Sequence, residues 1–168
     1  KIIRFLLKNY KGYLIIDADG LNVLSTYGVD VLNDKSCNVV LTPHIGEFAR
    51  LCEKKKKDIL NNVIDYAKEF ANKYKVILLL KNAVSVITDG EQTYINTTGT
   101  PAMAKAGSGD VLSGIVAGFT ARIDDTLQAV VSSAYIFGRC GEIATDATNE
   151  YTVTASEIIS SMPSAINS

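Results

Sequence analysis

Two rhythms of apolar residues alternate along the chain. Three short, nearly unbroken runs come first: "YLIID" at Tyr13–Asp17, "NVVLT" at Asn38–Thr42 and "VILLLK" at Val76–Lys81. Apolar runs of this length predict strands buried on both faces, each ending in a polar or charged residue. Between them the spacing turns helical. Asp19 is read as the N-cap of a short helix closed by Gly28, and "IGEFARLC" from Ile45 reads as a second helix. A longer amphipathic helix is predicted from about Asp58 to Tyr74, with Ile59, Val63, Ala67 and Phe70 along one stripe. "VSVITDGEQTYIN" alternates on both sides of Asp89-Gly90 and predicts a hairpin.

The second half reads as helical. "NTTGTPAMAKAGSGDVLSG" from Asn96 is a glycine-rich loop feeding a helix that should start at about Asp110 and run to Ala121. Another helix is expected from Asp125 to about Thr145, where Ala129, Ser133, Ala134, Gly138 and Gly141 permit close packing. "TASE" at Thr154–Glu157 has capping-box spacing and opens a last helix, expected to stop near Pro163. Strands alternating with helices predict an α/β layered fold around a mostly parallel sheet. No linker or repeat divides the chain, so residues 1–168 are expected to form a single domain.

Composition narrows the function classes. The chain has 168 residues, is 47% hydrophobic and 21% charged, and carries a formal net charge of −1. That balance gives no reason to expect nucleic acid or an anionic membrane as partner. No apolar run approaches the roughly 20 residues that span a bilayer. Cys37, Cys52 and Cys140 are widely separated and lack CxxC spacing, which suggests free thiols in a reducing cytoplasm. The "KKKK" run at 54–57 is read as a solvated helix face or connection. The opening "KIIRFLLKNYKG" is too short and too interrupted by charge for a signal peptide, and it leads almost at once to a strand. A chain opening on Lys1 is expected to be a fragment of a longer protein.

Four segments could carry chemistry. Gly107 and Gly109 flank Ser108 just before a helix, where free amides and the helix dipole suit an anion. The neighbouring Asp110 would repel a phosphate unless it has work there, and taking a proton from an attacking hydroxyl is such work. A lone GxGD also describes a simple glycine turn. The pattern is neither GxxxxGK[ST] nor GxGxxG. The second segment, "LTPHIGEFARL", holds the only histidine, His44, just past a strand end. A serine hydrolase would need this histidine, but the chain has no GxSxG elbow. The third is "KNAVS", where Lys81 ends a strand and could meet a phosphate or simply face solvent. In the fourth, "DADGLN", Asp17 could help hold a hydrated Mg²⁺, while Asp19 and Asn22 suit a helix start. Asp17, Thr42, His44 and Lys81 should then share one edge of the sheet, the carboxyl ends of the strands.

Taken together, "DADGLNVL", "LTPHIGEFARL", "KNAVSVITDGEQTYIN", "NTTGTPAMAKAGSGDVLSGIVAG" and "AYIFGRCGEIA" resemble the ADP- or ATP-dependent NAD(P)H-hydrate dehydratases of the ribokinase-like superfamily. The resemblance runs from Tyr13 to Pro163, and the TPHxGE and GSGD elements are its most specific parts. It implies repair of hydrated NADH and NADPH: the nucleotide phosphorylates the ring hydroxyl of the S epimer, and phosphate then leaves to restore the double bond. It further implies that His44 and Asp110 contact the hydrated cofactor, with Asp110 catalytic. Lys81, Asn82, Ala83, Val84, Ser85 and Gly109 would contact ADP or ATP, and Lys105, Ala106, Gly107 and Ser108 would line the phosphates. Two departures stand out: Asn82 replaces a usual glycine, its tolerance of left-handed backbone angles offering a way to keep the loop, and Phe137 stands where a histidine often precedes the glycine. The resemblance also implies an upstream glycine-rich segment with further βα units, and a homo-oligomer is expected. Two alternatives stay open on the sequence: a ribokinase-like kinase of a vitamin precursor, and a nucleotide-binding fragment without catalysis.

Overall fold

The three apolar runs are strands. In the computed structural model, which describes residues 1–168, β1 (Tyr13–Ile16), β2 (Asn38–Leu41) and β3 (Ile77–Leu80) lie side by side and parallel. Ile16 registers with Leu41 and Leu41 with Leu78. β4 (Ser85–Thr88) turns back antiparallel on β3, and β5 (Thr93–Asn96) follows at the edge, giving a mixed sheet of five strands in chain order. The predicted hairpin is present. Its loop is held by Asp89, whose Oδ1 accepts the amides of Glu91 and Gln92 at 2.9 and 2.8 Å. Gly90, at φ 100°, sits so close to Asn72 that a Cβ would lie 2.5 Å from the Asn72 nitrogen.

Parallel neighbours require long crossovers. α2 (Asp19–Tyr27) and a 3₁₀ turn (Val29–Asp34) connect β1 to β2; α3 (Ile45–Leu51), α4 (Lys56–Asn61) and α5 (Val63–Tyr74) connect β2 to β3. Leu41, Leu78, Leu80 and Val86 of the sheet share one core with Leu21, Leu24, Phe48 and Phe70 of these helices. Phe48 and Phe70 meet edge-on with ring centres 5.3 Å apart. Fully burying each such side chain is worth about 1.5–3 kcal/mol.

Several sequence expectations need correction. The opening residues do not run straight into a strand but form a helix, α1 (Ile2–Asn9), which buries Leu7 and is held by the Ser36 amide donating to the Leu7 carbonyl at 2.7 Å. Asp19 is not the N-cap of α2. It is the first helical residue, and Ala18 caps the helix at φ 45° and ψ −117°. The long helix expected from Asp58 is two, because Asn62 leaves helical geometry at φ −145° and ψ 49°. Adjacent Asn61 and Asn62 are poor helix formers whose amides compete for backbone groups. The lysine run is exposed: Lys54 and Lys55 lie between α3 and α4, and Lys56 and Lys57 open α4.

The chain falls into two compact units, 1–95 and 96–168. The second is built from a 3₁₀ turn (Pro101–Met103) and four helices: α6 (Ser108–Thr120), α7 (Thr126–Ala147), α8 (Ala155–Ser160) and α9 (Met162–Ile166). Val111 and Ile115 of α6, Cys140 and Ala144 of α7, and Ile158 and Ala165 form its core. The small residues of α7 act as expected: a Cβ on Gly138 would lie 2.1 Å from Thr98 Oγ1, and one on Gly141 would lie 2.1 Å from Met103 Sδ. Thr154 and Glu157 complete the predicted capping box. The helix it opens, α8, ends at Ser160, near Pro163 as expected, but a further short helix, α9, follows, and Pro163 belongs to that one. It sits in the first turn of α9, where a missing N–H costs nothing. No helix is long and apolar enough to cross a membrane.

Candidate active site

In the first unit, four of the marked residues come to one sheet edge. Past the end of β2, Pro43 accepts the Lys81 amide at 2.8 Å, and His44 bridges to Lys81 in parallel register. The Lys81 ammonium donates to Asp17 Oδ1 at 2.8 Å, across from the end of β1. Asp17, Thr42, His44 and Lys81 therefore lie at the carboxyl ends of the parallel strands. In open α/β sheets this is where ligands bind. Ala18, directly after Asp17, holds a positive φ that an alanine rarely adopts, at an expense of roughly 1–3 kcal/mol. That strain turns the chain sharply from strand to helix beside the ion pair.

His44 is the N-cap of α3. Its Nδ1 accepts the amides of Gly46 and Glu47 at 2.9 and 3.1 Å, while Glu47 Oε2 accepts the His44 amide at 2.8 Å, closing a capping box. Glu47 is buried, yet its Oε1 stands 3.6 Å from His44 Nε2. In the sequence Glu47 is visible only as the last residue of TPHxGE; its spacing from His44 is that of a capping box with histidine as the cap. Thr42 likewise shows in the sequence only as a strand end. Thr42, one residue past β2, is fully buried with its hydroxyl unpartnered.

Lys81–Ser85 forms the loop between β3 and β4. Asn82, Ala83 and Val84 are exposed, and the Ser85 hydroxyl donates to the Asn82 carbonyl at 3.4 Å. Asn82 is not among the residues with positive φ, so its tolerance of left-handed angles is not drawn upon. No group of three or more His, Cys, Asp or Glu side chains is placed to hold a metal ion. Asp17, already paired with Lys81, fits Mg²⁺ only as a single carboxylate supplementing phosphate oxygens and water.

The second unit carries the glycine-rich turn. Its approach is tied down: the Gly99 amide donates to Glu142 Oε1 at 2.7 Å, and the Thr98 hydroxyl donates to the Tyr135 carbonyl at 3.1 Å. Lys105 and Ala106 lead to Gly107, which caps α6 at φ 87°; the helix starts at Ser108, two residues before the expected start at Asp110, so Gly109 and Asp110 lie in its first turn. No side chain caps α6. First-turn amides of a helix have no intrahelical partner and suit an anion. Ser108 is buried with its hydroxyl unpartnered, whereas Asp110 is exposed. The Lys105 ammonium donates to the Val153 carbonyl, so it must leave that carbonyl to reach a phosphate. Asp110 heads a groove of about 660 Å³ lined further along α6 by Gly114, Gly118, Phe119 and Arg122.

None of the cysteines suits nucleophilic work. All three are free, burial pushes Cys37 and Cys140 up, and burial together with Glu69 pushes Cys52 up to about 12.

Comparison with known proteins places the chain in a family. A family model described as NAD(P)H-hydrate dehydratase matches residues 1–164. The bifunctional NAD(P)H-hydrate repair enzyme of Moorella thermoacetica is 37% identical over 96% of this chain and 31% of its own length. The ADP-dependent (S)-NAD(P)H-hydrate dehydratase of Bacillus subtilis is 35% identical over 74% of this chain and 46% of its own. Among solved structures, the ADP/ATP-dependent NAD(P)H-hydrate dehydratase of Bacillus subtilis, co-crystallised with ATP/Mg²⁺, superimposes with a TM-score of 0.80 at 29% identity, over 92% of this chain and 54% of that one. A ribokinase-like superfamily protein from Enterococcus faecalis gives 0.83 at 25% identity, over 99% of this chain and 57% of its own. The architecture is thus ribokinase-like, and the chain spans between a third and somewhat more than half of the length of these relatives. The chain belongs to the NAD(P)H-hydrate dehydratase family.

Proposed function

We propose that the protein carrying this chain dehydrates the S epimer of hydrated NADH and NADPH at the expense of ADP or ATP. The observation that carries the reading is the alignment of Asp17, His44 and Lys81 on one sheet edge, in a chain of this family. His44 and Asp110 serve the hydrated cofactor. Lys81, Asn82, Ala83, Val84, Ser85 and Gly109 serve the adenine nucleotide, and Lys105, Ala106, Gly107 and Ser108 its phosphates. The two units work as one catalytic domain, with an upstream part of the same protein completing the cofactor pocket. Three free thiols support a reducing, cytoplasmic setting, and a homo-oligomer belongs to the same proposal.

The chemistry follows from the residues. Asp110 accepts the proton of the ring hydroxyl as its oxygen attacks the terminal phosphoryl group, and a positioned base of this kind contributes roughly 10²–10⁴-fold. The first-turn amides of α6 stabilise the negative charge on that phosphoryl group. Phosphate then departs with loss of a ring proton, restoring the double bond. Mg²⁺, when bound, would neutralise phosphate charge, with Asp17, the partner of Lys81, as a carboxylate that could join it.

Calorimetry with ADP, ATP and AMP, followed by an epimer-resolved conversion assay on the full-length protein, tests the proposal. Binding of ADP or ATP and loss of the S epimer alone support it. No nucleotide binding, or no conversion with bound nucleotide, refutes it.

A further inference from the structure

We propose that His44 acts as a hydrogen-bond donor of fixed tautomer, offering Nε2–H to an acceptor oxygen of the substrate, and that Gly46 and Glu47 are the positioning residues that fix it. The proposal rests on the reading that His44 faces the hydrated cofactor. A neutral imidazole has one donor and one acceptor nitrogen, and its other contacts decide which is which. Here Nδ1 faces two backbone donors, the amides of Gly46 and Glu47 at 2.9 and 3.1 Å. A proton on Nδ1 would point into both, so the ring proton belongs on Nε2.

The ring is seated as well as protonated on one side. A Cβ on Gly46 would lie 2.9 Å from His44 Cε1 and 3.2 Å from Nδ1, so any side chain there would push the ring away. Glu47 holds the backbone of His44 through Oε2, while its Oε1, 3.6 Å from Nε2, is too far to take the Nε2 proton in a hydrogen bond. That proton is left for a ligand. The His44 side chain is 55% exposed, so a ligand can reach it. Capping alone does not account for an imidazole. Serine, threonine, asparagine or aspartate cap a helix at least as well, and what histidine adds is the second nitrogen.

The acceptor oxygen belongs either to the carboxamide of the nicotinamide ring or to the diphosphate of the dinucleotide. Nitrogen-15 spectroscopy of the histidine side chains in the full-length protein distinguishes these, with His44 assigned by the signal lost in His44→Asn. The expected spectrum shows protonated Nε2 and unprotonated Nδ1. The Nε2–H signal should move on adding hydrated NADH. A matching response to ADP-ribose assigns the acceptor to the diphosphate, and a response to hydrated NADH alone assigns it to the ring. Asparagine keeps the cap, so His44→Asn should fold normally and raise KM for the hydrated cofactor roughly ten-fold, the loss of one ligand hydrogen bond. Gly46→Ala should raise KM similarly with the ring still present, and Glu47→Ala, which takes away the acceptor that holds the His44 amide, should raise it a few-fold. An Nδ1-protonated ring, or His44→Asn with wild-type KM, overturns the proposal. An Nε2–H signal indifferent to hydrated NADH also overturns it, while turnover in that same sample leaves the family reaction standing.

Discussion

The sheet edge of the first unit and the glycine turn of the second prepare for ligands in opposite ways. At the sheet edge, side chains hold one another: Lys81 is paired with Asp17, and His44 is locked by Gly46 and Glu47. At the glycine turn the offer comes from the backbone. α6 begins with no side-chain cap, Gly107 supplies the positive φ, and Asp110 stands exposed. A pre-paired edge loses binding when one partner goes, because the pair that shapes it is broken. An open turn loses chemistry when its one carboxylate goes, and loses shape when its glycine goes.

Four substitutions or conditions sharpen this contrast, in falling order of effect. Asp110→Asn keeps the shape and the helix start but removes the base. In the full-length protein it should lower turnover of hydrated NADH by roughly 10²–10⁴-fold while nucleotide affinity, read by calorimetry, stays near wild type. Lys81→Met should do the reverse, weakening nucleotide binding and breaking the ion pair with Asp17. With both partners largely shielded, denaturant unfolding should show a loss of about 1–3 kcal/mol. Equal damage to kcat and nucleotide affinity in both variants would erase the distinction between the two regions.

Gly107→Ala tests the backbone side of the contrast. An alanine at φ 87° is strained by roughly 1–2 kcal/mol, and its Cβ would also stand 3.1 Å from that of Ala155. Thermal unfolding should register that loss, whereas an unchanged melting temperature would show that the turn does not need its glycine. The smallest effect belongs to Cys52, the C-cap of α3, the helix that His44 starts. Its thiol, raised to about 12 by burial and by Glu69, stays protonated where an unfolded thiol ionises. Its contribution to stability is therefore fully present below about 9, the ordinary thiol value, and falls as pH rises from there to about 12. Cys52→Ala should remove that slope, and alkylation of the native thiol near neutral pH should be slow. Rapid native alkylation would mean that α3 opens readily and that the edge is less fixed than described.

The sheet edge was legible because each apolar run ends in a residue with chemistry: Asp17, Thr42, Lys81. Period alone delivers such residues to one edge once the strands are parallel. What stayed hidden depends on contacts across distance or on backbone angles. Nothing in "DADG" announces that Ala18 takes a positive φ, since Gly20 is the residue one would choose for it. The hydrophobic stripe through Ile59, Val63, Ala67 and Phe70 continues across the break at Asn62, so periodicity hides the kink. Lys105 reads as a phosphate lysine, and its hold on the Val153 carbonyl joins residues 48 positions apart. The "GSGD" turn was recognised as a helix start, but its two-residue offset follows from Gly107 rather than Asp110 acting as the boundary.

The central claim is that phosphoryl transfer and elimination occur in one enzyme. The most direct test mixes the full-length protein with the S epimer of hydrated NADH and ATP, and follows NADH absorbance and inorganic phosphate together. The account predicts that the two rise in step, one phosphate for each NADH, with no phosphorylated cofactor accumulating. Accumulation of a phosphorylated product without NADH would mark the protein as a kinase and contradict the account.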